Sequence, residues 1–315
     1  MNDYDVIVLG EPLVEITTLA AIEPGVQATI GVSGDAVNAA AAAAAAGASV
    51  ALLARITDDE LGDMIAGRVR ALGVDDALLL RTVGQQGMYL EHSDPDGERQ
   101  FHYARSGSVG SRLSPADLPA DALASAGAVL ASGITCAVSD SARAAVLAAA
   151  RLSRAFVYDP NFRPRLTTAG QAAATLAELA PLAALVTPSA PAETAALLGT
   201  EDAAAAASAC HELGAAAVAV TCGSKGVLVD DGSRTWVPAI PAPVVVDQTG
   251  AGDVFVGTVT ARLALGDALP DAVLLGAAAA SLSVGGQGGT GRIAGVVEVR
   301  AHAALADRAQ GDAAC

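Results

Sequence analysis

A chain of 315 residues has the length of one large domain, or of one large domain carrying a small appendage. Its formal charge of -16 and pI near 4.5 repel nucleic acid and anionic membranes, so neither is expected as a partner, and an anion can be held only in a local pocket of arginines and backbone N–H groups. The four cysteines (Cys136, Cys210, Cys222, Cys315) stand far apart with no CxxC and no neighbouring His, which excludes a recognisable zinc site and argues against a disulfide framework.

The N-terminus runs from Asn2-Asp3-Tyr4-Asp5 straight into a short apolar strand, Val6 to Leu9, with no basic n-region and no long h-region. No apolar stretch free of Gly, Pro and charge is long enough for a membrane span, so the expectation is a soluble cytoplasmic protein. Leu13 to Val32 then reads as short antiparallel strands. Ser33-Gly34-Asp35 opens an alanine-rich helix, Ala36 to Ala46, followed by a strand at Val50 to Leu53 and a helix at Leu61 to Ala71. Alanine favours helix but buries little area, so the core is expected to rest on the Val/Leu/Ile segments between the alanine runs. Gly87 to Tyr103 again reads as short strands, turning at Asp94-Pro95-Asp96-Gly97. Strands at Ala128–Ala131, Phe156–Tyr158, Leu185–Thr187 and Val218–Thr221 then alternate with helices at Ser141–Leu152, Ala203–Leu213, Asp253–Leu265 and Ala272–Val284.

Continuous apolar strands separated by helices indicate an α/β fold: a mostly parallel sheet with helices on both faces and ligands at the carboxyl ends of the strands. Residues 1–12, 33–84 and 106–309 form this domain. Residues 13–32 and 85–105 come together as a small β-sheet lid at one edge, and 310–315 are left as a loose tail. The exposed edges of such a lid offer a second subunit a surface, so a homodimer through the lid is an expectation.

Several nucleotide and hydrolase signatures are absent. There is no GxxxxGK[ST], since the single lysine, Lys225, is followed by Gly226. The first strand leads into Gly10-Glu11-Pro12 and not GxGxxG, and neither GxSxG nor HExxH occurs. His92, His102, His211 and His302 show no catalytic or ligand spacing and read as surface or lid residues. The strongest local signal is Asp247-Gln248-Thr249-Gly250-Ala251-Gly252-Asp253, running into the helix Val254-Phe255-Val256-Gly257. Small residues there leave the first helical N–H groups free, and with the helix dipole these make a site for a phosphate oxygen. Asp253 stands beside it, placed to take a proton from a hydroxyl that attacks a phosphoryl group. Taken alone, it also reads as a helix-capping aspartate after a glycine turn.

Asp247 to Gly257 resembles the signature DTxGAGDxFxxG of the ribokinase-like (PfkB) carbohydrate kinases. Ser33-Gly34-Asp35-Ala36-Val37-Asn38-Ala39-Ala40 is similar to that family's GGxxxNxA, and the two stand in the family's order, roughly 210 residues apart. The resemblance implies that Asp253 is the catalytic base and that the backbone of Gly250, Ala251, Gly252 and Asp253 is the anion hole. It places Gly34, Asp35 and Asn38 on sugar hydroxyls. Thr221-Cys222-Gly223-Ser224-Lys225-Gly226 resembles the family's TxGxxG loop, so Ser189, Thr221, Gly223, Lys225 and Gly226 are expected at ATP, with Ser224 or Lys225 reaching the phosphates. ATP and Mg2+ follow from the resemblance, and a monovalent cation near Asp247 and Thr249 is a further candidate.

Asp159-Pro160-Asn161-Phe162-Arg163-Pro164-Arg165-Leu166 resembles the DPNxRPxLW segment of 2-keto-3-deoxygluconate kinases and some fructokinases. Phe101-His102-Tyr103-Ala104-Arg105-Ser106-Gly107-Ser108, with Leu113 to Leu118, is similar to a stretch of the former. By that resemblance Tyr89, Tyr103 and Arg105 hold a sugar acid from the lid, and Arg163 lies near the transferring phosphate. An arginine suits a carboxylate because it binds it bidentately. A fructokinase or another sugar kinase of the family remains open, as does a non-catalytic sugar-binding relative. A nicotinamide dehydrogenase is disfavoured by the missing GxGxxG. Three positions depart from the pattern. Ser33 replaces the first glycine of a pair, and Thr167 stands where a tryptophan usually follows. Pro188-Ser189-Ala190-Pro191-Ala192-Glu193 replaces NxxE, which makes Glu193 the candidate for water-mediated Mg2+ handling.

Overall fold

A computed structural model describes residues 4–18, 20–93 and 99–313; the side chains of 93, 99–100 and 306–313 are left aside, and the turn expected at Asp94–Gly97 lies outside the described residues. The strands, in chain order, are β1 (Val6–Leu9), β2 (Leu13–Thr18), β3 (Thr29–Ser33), β4 (Val50–Thr57), β5 (Leu79–Thr82), β6 (Met88–Ser93), β7 (Arg99–Ala104), β8 (Ala128–Ser132), β9 (Phe156–Asp159), β10 (Leu185–Val186), β11 (Val218–Thr221), β12 (Val227–Asp230) and β13 (Arg234–Val237). The helices are α1 (Asp35–Ala45), α2 (Glu60–Ala71), α3 (Ala120–Ser125), α4 (Gly133–Ala137), α5 (Asp140–Leu152), α6 (Ala169–Leu179), α7 (Ala192–Leu198), α8 (Ala203–Glu212), α9 (Ala251–Ala264), α10 (Leu269–Ser283) and α11 (Val296–Ala313).

Nine strands form one sheet in the order β13-β12-β11-β10-β9-β8-β1-β4-β5. It is parallel from β5 to β11, and the β12–β13 hairpin closes it antiparallel. Side chains alternate across it. Val6 and Val8 pack with Leu52 and Ile56 against α1, α2, α9 and α10, while Ile7 and Leu9 pack with Leu53 against α3, α5, α6 and α8. Both faces are therefore dry, which is why these strands read as unbroken apolar runs. The chain runs outward in opposite directions from β1, whose neighbours are β4 and β8. That reversal opens a crevice at the carboxyl ends, where Ser132, Asp159 and Thr221 end their strands.

The alanine run corrects one expectation. Ala36 and Ala39 to Ala43 are themselves buried core, not filler between core segments. Their small side chains let α1 lie against α9, where Gly257 meets Ala39 so closely that a Cβ would stand 2.1 Å from the Ala39 carbonyl oxygen. Close approach of two helices is what the alanines supply.

The two interrupting segments form a separate four-stranded sheet, β3-β2-β6-β7. β2–β3 and β6–β7 are antiparallel and the central β2–β6 pair is parallel, Val14 lying opposite Met88. At the other end, Gln310 to Ala313 continue α11, so the tail is shorter than expected. Among the described residues no helix is long and apolar enough to cross a membrane.

Candidate active site

The crevice is built around the first turn of α9. Gly250 caps it with φ +79, and a Cβ there would stand 2.8 Å from the Cα of Gly289, so the turn accepts only glycine. Ala251 N–H is turned back onto the Gln248 carbonyl (3.3 Å). The amides that follow at Gly252 and Asp253 have no acceptor within the helix, and Gly252 is exposed with open space where a Cβ would be. Asp253 is buried in this turn. Its Oδ2 accepts from Asn38 Nδ2 at 2.9 Å and its Oδ1 from Asn161 Nδ2 at 3.2 Å. Burial and the neighbouring Asp35 carboxylate push its pKa up to about 7, against the two amides and the Arg163 guanidinium, which hold it down.

Each partner is placed by a local device. Gly34 adopts φ +127, where a Cβ would meet the Glu11 carbonyl oxygen at 2.7 Å, and it sets Asp35 in the first turn of α1 with Asn38 one turn on. Asp35 accepts from the Ser132 hydroxyl at the end of β8. Asn161 follows β9 with φ +40, a left-handed conformation that Asn tolerates better than most residues. A cavity of about 10 Å3, the size of one water, lies between Asp35, Asp159, Asn161 and Asp253.

Asp159 and Asn161 carry more of this site than sequence reasoning gave them. Burial, then Glu193 and Asp253, hold Asp159 well above the usual carboxylate range. The available signal was their place at a strand's carboxyl end, just ahead of Arg163. Arg163 itself is exposed and forms no ion pair among the described residues, but its charge bears on Asp159, Glu193 and Asp253 alike.

Glu193 has a bracing position. Oε1 accepts from Phe162 N–H at 2.5 Å and Oε2 from Ser189 N–H at 2.7 Å, tying the segment after β9 to the segment after β10. Both its oxygens are engaged by backbone, and among the described residues no three His, Cys, Asp or Glu converge on one metal position. Ser189 bridges to Thr221, which brings these two expected nucleotide residues together. Beyond them Gly226 (φ +109) packs a Cβ's width from the Val237 carbonyl. Lys225 is exposed, its carbonyl accepting from the Trp236 indole at 3.1 Å. Asp247 accepts from Thr249 N–H (2.6 Å), Gln287 Nε2 (3.0 Å) and Gly288 N–H (2.8 Å), clipping two loops together.

On the four-stranded sheet, Tyr89, Phe101 and Tyr103 form one aromatic cluster with ring centroids 5.7 to 6.2 Å apart. Tyr89 donates to Glu15 and is hydrogen-bonded with Ser33, so the serine in place of a glycine fastens this ring. Arg105 is less free than a substrate clamp was expected to be. It is buried, and Nε (2.8 Å) and Nη2 (2.6 Å) both contact Glu11 Oε2, while the Ser108 hydroxyl donates to Glu11 Oε1. The sequence showed no sign of this partner, which sits two residues past β1.

Residues 8–293 match the sequence model of the pfkB family carbohydrate kinases. A 2-dehydro-3-deoxygluconokinase of Thermoproteus tenax is 33% identical over 294 residues, covering 90% of this chain and 89% of its own. The crystal structure of a PfkB protein from Polaromonas sp. JS666 superposes with a TM-score of 0.84 at 27% identity, covering 95% of this chain and 99% of that one. A putative ribokinase II of E. coli, in complex with ATP and Mg2+, gives a TM-score of 0.86 at 22% identity, with 96% and 99% covered.

Proposed function

The chain belongs to the pfkB family of carbohydrate kinases, and from that premise we propose that it transfers the γ-phosphoryl group of ATP to the terminal hydroxyl of a sugar acid of the 2-keto-3-deoxygluconate class. The observation that carries the chemistry is Asp253, buried at the open first turn of α9 with both oxygens held by amides and a pKa near 7. A base poised there is partly ionised at neutral pH and basic enough to accept a hydroxyl proton.

In this reading the sugar lies on Gly34, Asp35 and Asn38 under the lid, its terminal hydroxyl beside Asp253. The hydroxyl oxygen attacks the γ-phosphorus, its proton passes to the Asp253 carboxylate, and the bond to the β-phosphate oxygen breaks to release ADP. The amides at the start of α9 and the Arg163 guanidinium stabilise charge on the group in transit, so positioning and electrostatics supply most of the acceleration. ATP lies along Ser189, Thr221 and Gly223 to Gly226.

The hard oxygen groups nearest to a Mg2+ role are Asp159 and Glu193: burial raises both, Glu193 and Asp253 raise Asp159 further, and the Arg163 guanidinium lowers both. These two would face the ion through water, and when bound it neutralises charge on the β- and γ-phosphate oxygens.

The acid class is supported by the Thermoproteus tenax relative's name and by two arginines, Arg105 and Arg163, at the crevice. Glu11 engages the Nε–Nη2 edge of Arg105 and leaves Nη1 for a substrate carboxylate. One observation favours a second reading, a neutral sugar such as fructose: Glu11 cancels the Arg105 charge. ADP release measured against 2-keto-3-deoxygluconate, fructose, ribose and a nucleoside separates them. Arg105→Ala alone strands the buried Glu11 at a cost of about 3–5 kcal/mol, so a Glu11→Gln/Arg105→Gln pair is the cleaner probe. It should raise KM for the sugar acid at least about tenfold, the loss of one charge-assisted contact, and leave a neutral sugar unaffected. Equal effects on both acceptors would refute the acid reading.

A further inference from the structure

Beside the segment from Pro160 to Thr167, a second cavity of about 310 Å3 opens between α4, the start of α5 and α6. That is the small end of the range in which metabolite-sized molecules bind, about 300–1,000 Å3. None of the crevice residues on α1, α9 or the lid lines it, and Asn161 and Arg163 are the crevice residues it shares. Thr167, standing where the resembled segment carries a tryptophan, forms part of its wall.

The lining is polar in a specific way. Tyr158 is 1% exposed, it lines the cavity, and its hydroxyl has no hydrogen-bond partner among the described residues. The hydroxyl is not sealed off from the cavity, so it can hydrogen-bond a group held there. Two guanidiniums flank the same space. Arg143 reaches Thr175 Oγ1 at 3.3 Å and pairs with Glu178, while Arg163 has no ion-pair partner among the described residues. Asp140 is exposed at the rim.

We propose that this cavity is a second, non-catalytic site for a small hydroxylated anion, its acid group held by Arg143 and Arg163 and a hydroxyl by Tyr158. Because Arg163 also bears on Asp253, occupancy draws positive charge away from the phosphoryl-transfer site and lowers turnover. That consequence rests on the kinase reading; the binding site does not.

Calorimetric titration of the full chain with glycerol 3-phosphate and with glycerate, and with glycerol as the neutral control, tests it. The two acids distinguish a phosphate from a carboxylate headgroup. At least one of them should bind wild type and Asp253→Asn alike, while glycerol does not. Thr167→Trp, which fills the cavity, and Arg143→Met, which removes a guanidinium, should each weaken that binding at least about tenfold, with melting temperature and basal turnover retained. Failure of both acids to bind overturns the proposal. So does binding that neither variant changes, binding lost in Asp253→Asn, or glycerol binding as tightly as the acids.

Discussion

Asp253 owes its chemistry to neighbours far away in sequence. Asn38 and Asn161 donate to its two oxygens, and burial with Asp35 opposes them, leaving the carboxyl near pH 7. The sign of the pH dependence follows. A base must be ionised, so kcat/KM should fall as pH drops through about 7. Removing an amide that favours the charged form moves that limb upward. Asn38→Ala should therefore shift the acid limb of the kcat/KM profile to higher pH by about one unit, as expected for losing one hydrogen bond to a charged group. An unshifted limb would mean that Asn38 does not tune this carboxylate. The residue types were legible in the sequence: Asp253, Gly34 and Asn38 lie within two recognisable motifs. Asn161 lay in the recognised segment Asp159 to Leu166 but was given no role, and the Glu11–Arg105 pair left no trace, because an ion pair between distant segments has no periodic signal.

At the scale of elements, the site depends on how closely α1 and α9 approach. Most strands and helices of the main sheet were readable from apolar runs and alanine-rich stretches. The short β5, the hairpin β12–β13 and helices α3, α4, α6, α7 and α11 were not, since they are brief or have no strong pattern. The meaning of the alanine run was also hidden: only the packed pair shows that small side chains are needed on α1 because α9 presents Gly257 to the Ala39 carbonyl. Gly257→Val should therefore force the helices apart, lowering stability by at least about 3 kcal/mol in urea denaturation and uncoupling Asn38 from Asp253. A variant as stable as wild type would show that this contact does not set the spacing.

For the whole molecule, the two sheets divide the work. The nine-stranded sheet gathers Ser132, Asp159 and Thr221 at one end, while Tyr89 and Tyr103 lie in the four-stranded sheet, with Arg105 just past β7, on a different stretch of chain. Arg165 Nη1 donates to the Phe101 carbonyl at 3.1 Å, joining the segment after β9 to the four-stranded sheet. Among the described residues the four-stranded sheet ends at β3 and β7, and Ile30 on β3 is 62% exposed. We propose that this edge pairs two copies of the chain. Sedimentation should then show a dimer that Ile30→Glu dissociates, and a monomeric wild type would rule the pairing out.

The central claim is that Asp253 takes the proton of a sugar hydroxyl as phosphate is transferred. Its most direct test is the steady-state rate of ADP release by Asp253→Asn, with 2-keto-3-deoxygluconate and the other acceptors, beside wild type. The substitution keeps the shape and the Asn38 and Asn161 neighbours but removes the base. The account predicts that kcat falls by about 10²–10⁴-fold while KM changes little. An Asp253→Asn enzyme that turns over any acceptor at the wild-type rate would contradict it.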